Sequence, residues 1–149
     1  MSDEPSEPST ILQRLQWRAV LLAFVVDYGG SKFFGLMAGI FAGIAYAKDG
    51  ADAATIQQTL LASPHFLNGM LAMGLIFVVI GGYVAASLAP RAPYLNAAAL
   101  GVVDVVLGFT AFFDGLPAWY LAIAFPATPL CALFGAFIAS LLAGRESEE

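Results

Sequence analysis

Four long apolar segments dominate this sequence and constrain its fold more than any other feature. Their approximate bounds are 19–47, 66–89, 94–113 and 118–143. A helix needs roughly 20 apolar residues to cross the hydrocarbon core of a bilayer, and each segment is long enough. Only 11% of the residues are charged, against about 25% in soluble domains. The sequence therefore predicts an all-α integral membrane protein that forms a four-helix bundle.

Acidic residues are concentrated at the two ends of the chain. Six of the 11 Asp and Glu residues lie in residues 1–10 and 145–149. These ends are rich in Ser, Pro and acidic residues, a composition typical of disordered tails, whereas residues 11–144 are predicted to form one transmembrane domain. Because the body between the tails is nearly neutral, we expect no nucleic-acid partner.

The distribution of basic residues predicts how the chain is oriented. Arg14, Arg18, Arg91 and Arg145 flank the segments on one side, and Lys48 lies on the other. Cytoplasmic flanks carry an excess of Lys and Arg. The prediction is a multi-pass protein of the cell (inner) membrane, with its N and C termini both cytoplasmic.

The longer outer connection contains a short predicted helix at about 53–62. Asp52 is a suitable N-cap for it, and Pro64 follows its end. Two interpretations remain open: the helix rests on the outer membrane surface or covers the bundle, or the segment is simply a packed connecting loop.

Small residues recur every four positions and predict where helices approach closely. Such stripes allow close contact between helix backbones in lipid, either within one chain or between protomers. They comprise Gly35, Gly39 and Gly43 in the first segment, Gly82 and Ala86 in the second, and Cys131, Gly135 and Ala139 in the fourth.

Two charged residues are predicted to lie deep in the membrane. Asp104 is the eleventh residue of the third segment, which places it roughly 15 Å from either surface. Lys32 lies about 20 Å along the first segment by the same rise. A lone charge at that depth is costly and normally faces a partner. We therefore expect an ion pair between Lys32 and Asp104.

Asp27 is a third charged residue, five positions before Lys32. An unbroken helix would rotate the two side chains about 140° apart. Either Gly29-Gly30-Ser31 opens the helix so that they meet, or Asp27 bonds a hydroxyl such as that of Tyr83. In a different placement, residues 11–26 lie along the cytoplasmic interface, so that Asp27 and Lys32 are shallow and Asp104 alone is deep.

Two prolines, Pro126 and Pro129, interrupt the fourth segment near its middle. Proline lacks an amide donor and disturbs the carbonyl four residues earlier, here at Ala122 and Phe125. A helix kink with free carbonyl oxygens is expected at about the depth of Asp104. These groups fit an ion or proton site, and they also fit a buried salt bridge beside a kink, which is the interpretation we favour from the sequence.

Sequence motifs for catalysis and metal binding are missing from this chain. No nucleophile-elbow, zinc-protease, P-loop or dinucleotide pattern occurs, and His65 is the single histidine. We therefore expect no enzymatic activity, no metal site and no cofactor.

The stretch GGYVAASLAPRAPYLNAAALGVV, residues 81–103, resembles one found in small four-span bacterial membrane proteins of uncharacterised families. In those proteins a Gly-Gly-Tyr helix end, a short basic turn and an Ala-Pro entry lead into the third span. The resemblance implies the same topology and transfers no catalytic or binding residues.

Two functions follow as hypotheses. In the first, the protein is a non-enzymatic membrane subunit or accessory protein that acts through helix packing, in a homo-oligomer or a larger membrane complex surrounded by lipid. In the second, it is a small transporter or a proton or ion conduit that uses Asp104, Lys32, Asp27 and Tyr83.

Overall fold

The computed structural model describes residues 14–47, 50–111 and 115–146. Over these ranges the protein has five α-helices and no strand, so the prediction of an all-α protein is confirmed for them. The helices are α1 (Trp17–Ala47), α2 (Ala53–Ala62), α3 (Pro64–Leu88), α4 (Pro93–Ala111) and α5 (Ala118–Glu146). The predicted tail at 1–10, most of the tail at 145–149, Lys48 and the end of the third predicted span at 112–113 lie outside the described residues.

Three helices, α1, α3 and α5, are long and apolar enough to cross a membrane. The fourth apolar helix, α4, is shorter, with an apolar stretch over Pro93–Phe109. Many large apolar side chains on these helices are exposed, including Phe41 at 70% and Phe33 at 66%. Such a surface is unfavourable in water and suits contact with acyl chains. The helices therefore indicate a membrane protein.

Hydrogen-bonding side chains begin α2 and α3. Asp52 is the N-cap of α2 and accepts a 2.8 Å hydrogen bond from the backbone N–H of Thr55. Ser63 ends α2 and begins α3, where its hydroxyl accepts from the N–H of Phe66. Pro64 stands in the first turn of α3, where its missing N–H would have no helical partner in any case. Ser63 is thus the single residue between α2 and α3.

The most extensive helix contact joins α3 to α5, and it depends on glycine. A Cβ added at Gly82 would collide with the backbone of Ala132, and one at Gly135 would collide with the backbone of Val79 and Tyr83. Because backbone atoms cannot move aside as a flexible side chain can, both positions require the absence of a side chain. The crossing brings two helix backbones into direct contact.

Two buried clusters complete the core. One joins α1, α3 and α4 through Val20, Ala23, Ala85 and Leu100. The other joins α3, α4 and α5 entirely through alanine: Ala86, Ala97, Ala136 and Ala139. Since α3 contributes to both clusters and contacts each of the other helices, it is the central element around which the rest are arranged.

Candidate functional site

The buried face of α1 carries Asp27. Val20, Ala23 and Asp27 follow each other at spacings of three and four residues, so they lie on one side of the helix. All three are buried, and Asp27 is only 4% exposed. Helix α3 approaches this side closely at Gly81, where an added Cβ would lie 2.9 Å from Asp27 Cβ and 3.3 Å from the carbonyl oxygen of Ala23. The fold thus holds the carboxyl of Asp27 inside the bundle.

The packing face of α4 carries Asp104. Ala97, Gly101, Asp104 and Gly108 share one side of the helix by the same spacing. A Cβ at Gly101 would lie 2.8 Å from Cα of Pro129 on α5, so α4 and α5 touch one turn before Asp104. At Gly108 the corresponding neighbour is the ring of Phe125. Close contact on both sides of Asp104 fixes the height and direction of its side chain.

The two carboxyl groups meet at this point. The side chains of Asp27 and Asp104 lie within hydrogen-bonding range of each other, and the Ser31 hydroxyl lies 3.5 Å from Asp27 Oδ1. In the described part of the chain, Asp104 Oδ2 is buried and no donor reaches it. Between two carboxyl groups, a hydrogen bond forms when one of them carries a proton. The site is therefore a buried carboxyl pair contributed by two helices.

A hydrogen bond at the other end of α1 and α4 sets the relative height of these helices. The backbone N–H of Gln16 donates to Asn96 Oδ1 at 2.8 Å, and the fully buried Asn96 side chain also donates to the Ala92 carbonyl. Counted from this bond, Asp104 lies about 12 Å along α4 and Asp27 about 16 Å along α1, a separation of less than one helical turn. Lys32 lies about 24 Å along α1, which is too far to be level with Asp104.

The expected ion pair between Lys32 and Asp104 is not present among the described residues. Lys32 is exposed, and its Nζ lies 5.2 Å from the centroid of the Tyr28 ring. Nor does Gly29-Gly30-Ser31 open the helix, because α1 runs unbroken from Trp17 to Ala47. Instead, Gly30 leaves room for the ring of Phe77 on α3. An intact helix keeps Lys32 rotated away from the face that carries Asp27.

A cleft of about 790 Å³ opens beside the carboxyl pair. Four helices form its walls. Helices α1 and α4 contribute residues that begin at Phe24 and Asp104, and helices α3 and α5 contribute residues that end at Val78 and Thr128. These are the halves of the four helices that lie toward α2. A second cleft, between α1 and α3, shares Tyr28, Ser31 and Lys32 with the first and extends toward Gly35 and Met70. The carboxyl pair is thus approached from the α2 end of the bundle.

On its other side, the carboxyl pair is closed off. The buried cluster of Val20, Ala23, Ala85 and Leu100 packs directly beyond it, and the bond between Gln16 and Asn96 joins the helix ends further on. The site is therefore open toward one end of the bundle and sealed toward the other.

Other predicted residues lie apart from this site. Tyr83 is exposed and lines a different cleft, near Pro90 and Ser140, so it does not bond Asp27. Helix α5 is assigned as one helix across both prolines. Pro126 is exposed, whereas Pro129 contacts Gly101, and the role visible for Pro129 is therefore packing against α4.

The glycine stripe of α1 behaves differently from the glycines of α3 and α5. Gly82 and Gly135 are buried at the helix crossing, but a Cβ at Gly39 or Gly43 would have nothing within 4 Å. Gly35 has a neighbour only in the end of the Met70 side chain. Within one chain, the α1 stripe is mostly unfilled.

The aromatic and hydroxyl residues of the cleft were not predicted from the sequence. Phe24 and Tyr28 stack on α1 with ring centroids 5.2 Å apart, and Tyr120, Ala124 and Thr128 line α5 at four-residue spacing. A four-residue spacing places side chains on one face of a helix, but these residues do not stand out in the sequence because the residues around them are apolar. In the described residues, no group of three or more His, Cys, Asp or Glu side chains is arranged to hold a metal ion, and His65 is exposed.

Comparison with known proteins provides no family for this chain. No family model matches the sequence, no curated protein matches it, and no solved structure matches the fold.

Proposed function

We propose that the protein is a four-span bundle of the inner membrane with both termini in the cytoplasm. At 19 residues, α4 measures about 28 Å, close to the thickness of the hydrocarbon core. Helix α4 also packs beside α3 and α5, which supports its placement in the same layer as the long helices. Arg18, Arg91 and Arg145 lie at the same end of the bundle, as the positive-inside rule requires of cytoplasmic flanks.

We propose further that it is a small transporter or proton conduit, in which Asp27 and Asp104 together bind a proton. The observation that carries this proposal is the contact between the two carboxyl groups at mid-height. Two carboxyl groups side by side in a poorly solvated site share one proton, since two adjacent negative charges repel. Ionisable residues inside a membrane are costly and typically mark proton or ion pathways.

One-sided access supports a transporter rather than an open pore. The cleft leads from the α2 end of the bundle to the carboxyl pair, but the cluster of Val20, Ala23, Ala85 and Leu100 blocks the opposite side. Passage across the membrane therefore requires that these helix ends separate after the proton has bound. In this proposal, the α2 end faces outward and the sealed end faces the cytoplasm.

Proton movement into liposomes that contain the purified protein and a trapped pH-sensitive dye tests this function. The native protein should acidify the lumen when a gradient is applied, and Asp104→Asn and Asp27→Asn should each abolish that flux. Asp52→Asn is the matched control, because it makes the same substitution at an exposed residue outside the cleft. Undiminished flux in both carboxyl variants would refute the proposal.

A second candidate function, a non-enzymatic subunit that acts through helix packing, is supported by the outer part of α1. Between residues 28 and 46, all of which the structure describes, no residue of α1 is buried. This half of the helix includes the unfilled positions Gly39 and Gly43. A partner helix seated there would bury it. The native mass in a gentle detergent tests this function: a monomer without partners contradicts it.

A further inference from the structure

The cleft combines negative charge with aromatic surface. Its walls carry the carboxyl groups of Asp27 and Asp104 and the rings of Phe24, Tyr28 and Tyr120. Aromatic faces attract cations through the ring quadrupole, most strongly where water is excluded. Carboxyl groups attract cations directly. A ligand that satisfies both kinds of wall carries a positive charge and an apolar body.

An ammonium group of the chain itself lies over one aromatic wall of the cleft. Lys32 Nζ lies 5.2 Å from the centroid of the Tyr28 ring, within the range of about 6 Å for such contacts. Its charge is therefore held at an aromatic face of the cleft and not in an ion pair with Asp104. A cationic ligand would compete with Lys32 for the ring of Tyr28.

A buried acceptor in the same cleft lacks a donor. Among the described residues, Asp104 Oδ2 has no hydrogen-bond partner although it is shielded from solvent. Leaving a buried acceptor unpaired is unfavourable, so a bound group that brings positive charge or an N–H stabilises this oxygen. The aromatic walls and this oxygen are independent features, and both favour a cation.

The size of the cleft indicates an organic ligand. A volume of about 790 Å³ lies within the range of roughly 300–1,000 Å³ that is usual for small-molecule sites, and it exceeds what a proton or a bare metal ion occupies. The walls facing the carboxyl pair from α3 are uncharged, namely Leu71, Gly74, Leu75 and Val78. Besides the two carboxyl groups, the titratable side chains in the cleft are Tyr28 and Lys32 from α1 and Tyr120 from α5.

We propose that the cleft binds a water-soluble organic cation, an amine or quaternary ammonium compound with an apolar body, in exchange for the proton at the carboxyl pair. When the cation enters, one O–H bond of the pair breaks and the proton leaves to solvent. Two carboxylates and one cation then carry the same total charge as the protonated pair did. This inference rests on the proposed function, since it assigns the transported solute to the same site.

Binding of labelled tetraphenylphosphonium, a quaternary phosphonium cation that stands in for a quaternary ammonium compound with an apolar body, to the full chain in detergent tests the proposal. Saturable binding is expected, with the release of one proton per cation in weak buffer. Triphenylphosphine oxide, a neutral compound with three of the same phenyl rings, should not compete. Equal competition by the neutral compound, or an absence of saturable binding, would overturn the proposal.

Variants locate the site. Asp104→Asn should weaken binding at least about tenfold, the effect of losing one charged contact, and Tyr28→Leu about fivefold. Lys32→Met should tighten binding, because it removes the competing ammonium. Tyr83→Leu and Asp52→Asn are matched controls outside the cleft and should bind as the native protein does. Unchanged affinity in both Asp104→Asn and Tyr28→Leu would contradict the assignment.

The lipid environment distinguishes a soluble ligand from a lipid headgroup. Equal affinity in bilayers of phosphatidylcholine and phosphatidylglycerol supports a soluble cation, whereas loss of binding in phosphatidylcholine shows that choline headgroups occupy the cleft and overturns the proposal.

The liposome assay separates this inference from the proposed function. Proton flux that depends on Asp104 without cation binding refutes the inference alone. Cation binding in weak buffer without the release of a proton refutes the proposed exchange.

Discussion

The carboxyl groups of Asp27 on α1 and Asp104 on α4 lie side by side in the interior of the bundle, within hydrogen-bonding range of each other. Neither carboxyl group is paired with a basic side chain among the described residues, although Lys32 lines the same cleft. This arrangement is unfavourable for simple packing, because two adjacent acidic groups repel when both are ionised. Removing one of the two carboxyl groups is therefore not expected to destabilise the protein.

Replacing Asp104 by Asn should not destabilise the protein. The amide can donate a hydrogen bond to Asp27, as a protonated Asp104 does, and it needs no bound proton to do so. The free energy of unfolding should therefore stay unchanged or rise by about 1 kcal/mol. Thermal unfolding in detergent, followed by circular dichroism, measures this. Had Lys32 and Asp104 formed a buried ion pair, the same substitution would cost about 3 kcal/mol or more. A loss of that size would contradict the observed arrangement.

The partner of Asp104 was harder to predict from the sequence than its depth. Helical rise placed Lys32 at that depth to within about a turn, but the sequence did not fix the height of α1 relative to α4. The bond between Gln16 and Asn96 sets this height. Val20, Ala23 and Asp27 are buried at spacings of three and four residues, which identifies the face of α1 that is turned toward α4. Depth alone therefore favours Lys32 as the partner of Asp104, whereas the helix face that is buried selects Asp27.

The secondary structure of the apolar segments was predictable, whereas the cleft was not. Length and hydropathy define the long helices, because each must satisfy its own backbone hydrogen bonds in lipid. The cleft depends instead on α1 being buried up to Asp27 and not beyond it. This change from a buried to an unburied half of α1 arises from packing between helices, and no local sequence pattern predicts it.

Alanine at the α3–α5 crossing should destabilise the fold. At Gly82 or Gly135 the new Cβ would meet backbone atoms, so the helices must separate, at an expected loss of about 3 kcal/mol. Gly39→Ala is the matched control, since nothing lies within 4 Å of its added Cβ. It should be neutral or stabilising by up to about 1 kcal/mol, because alanine favours helix. Similar unfolding curves for all three variants would argue against the crossing.

Asn96 should contribute to stability through its side-chain acceptor. The Asn96→Ala substitution leaves the backbone N–H of Gln16 without its partner, which should cost about 1–3 kcal/mol. Asn68→Ala is a suitable control, because Asn68 is exposed at the other end of the bundle. Unfolding in denaturant compares the two variants. An equally small effect in both would show that the bond does not hold α1 against α4.

Acid should weaken the cap of α2 at a pH set by Asp52. Two hydrogen bonds from Thr55 hold the pKa of Asp52 below its usual range. The bond from the Thr55 hydroxyl has the larger effect, and the bond from its backbone N–H has the smaller one. Because the folded value lies below the unfolded one, the stabilisation is complete above the unfolded value of about 3.9 and is lost as the pH falls through the lower folded value. The amide signal of Thr55 should therefore stay constant from pH 7 to about 4 and shift below that.

The Asp52→Asn variant separates titration from capping. Asparagine is an equally good N-cap but carries no proton to exchange, so the Thr55 signal should become independent of pH while α2 stays folded. Asp52→Ala should fray the first turn of α2 at every pH, since the acceptor for the Thr55 N–H is gone. A native signal that moves between pH 5 and 7 would show that a different group titrates there.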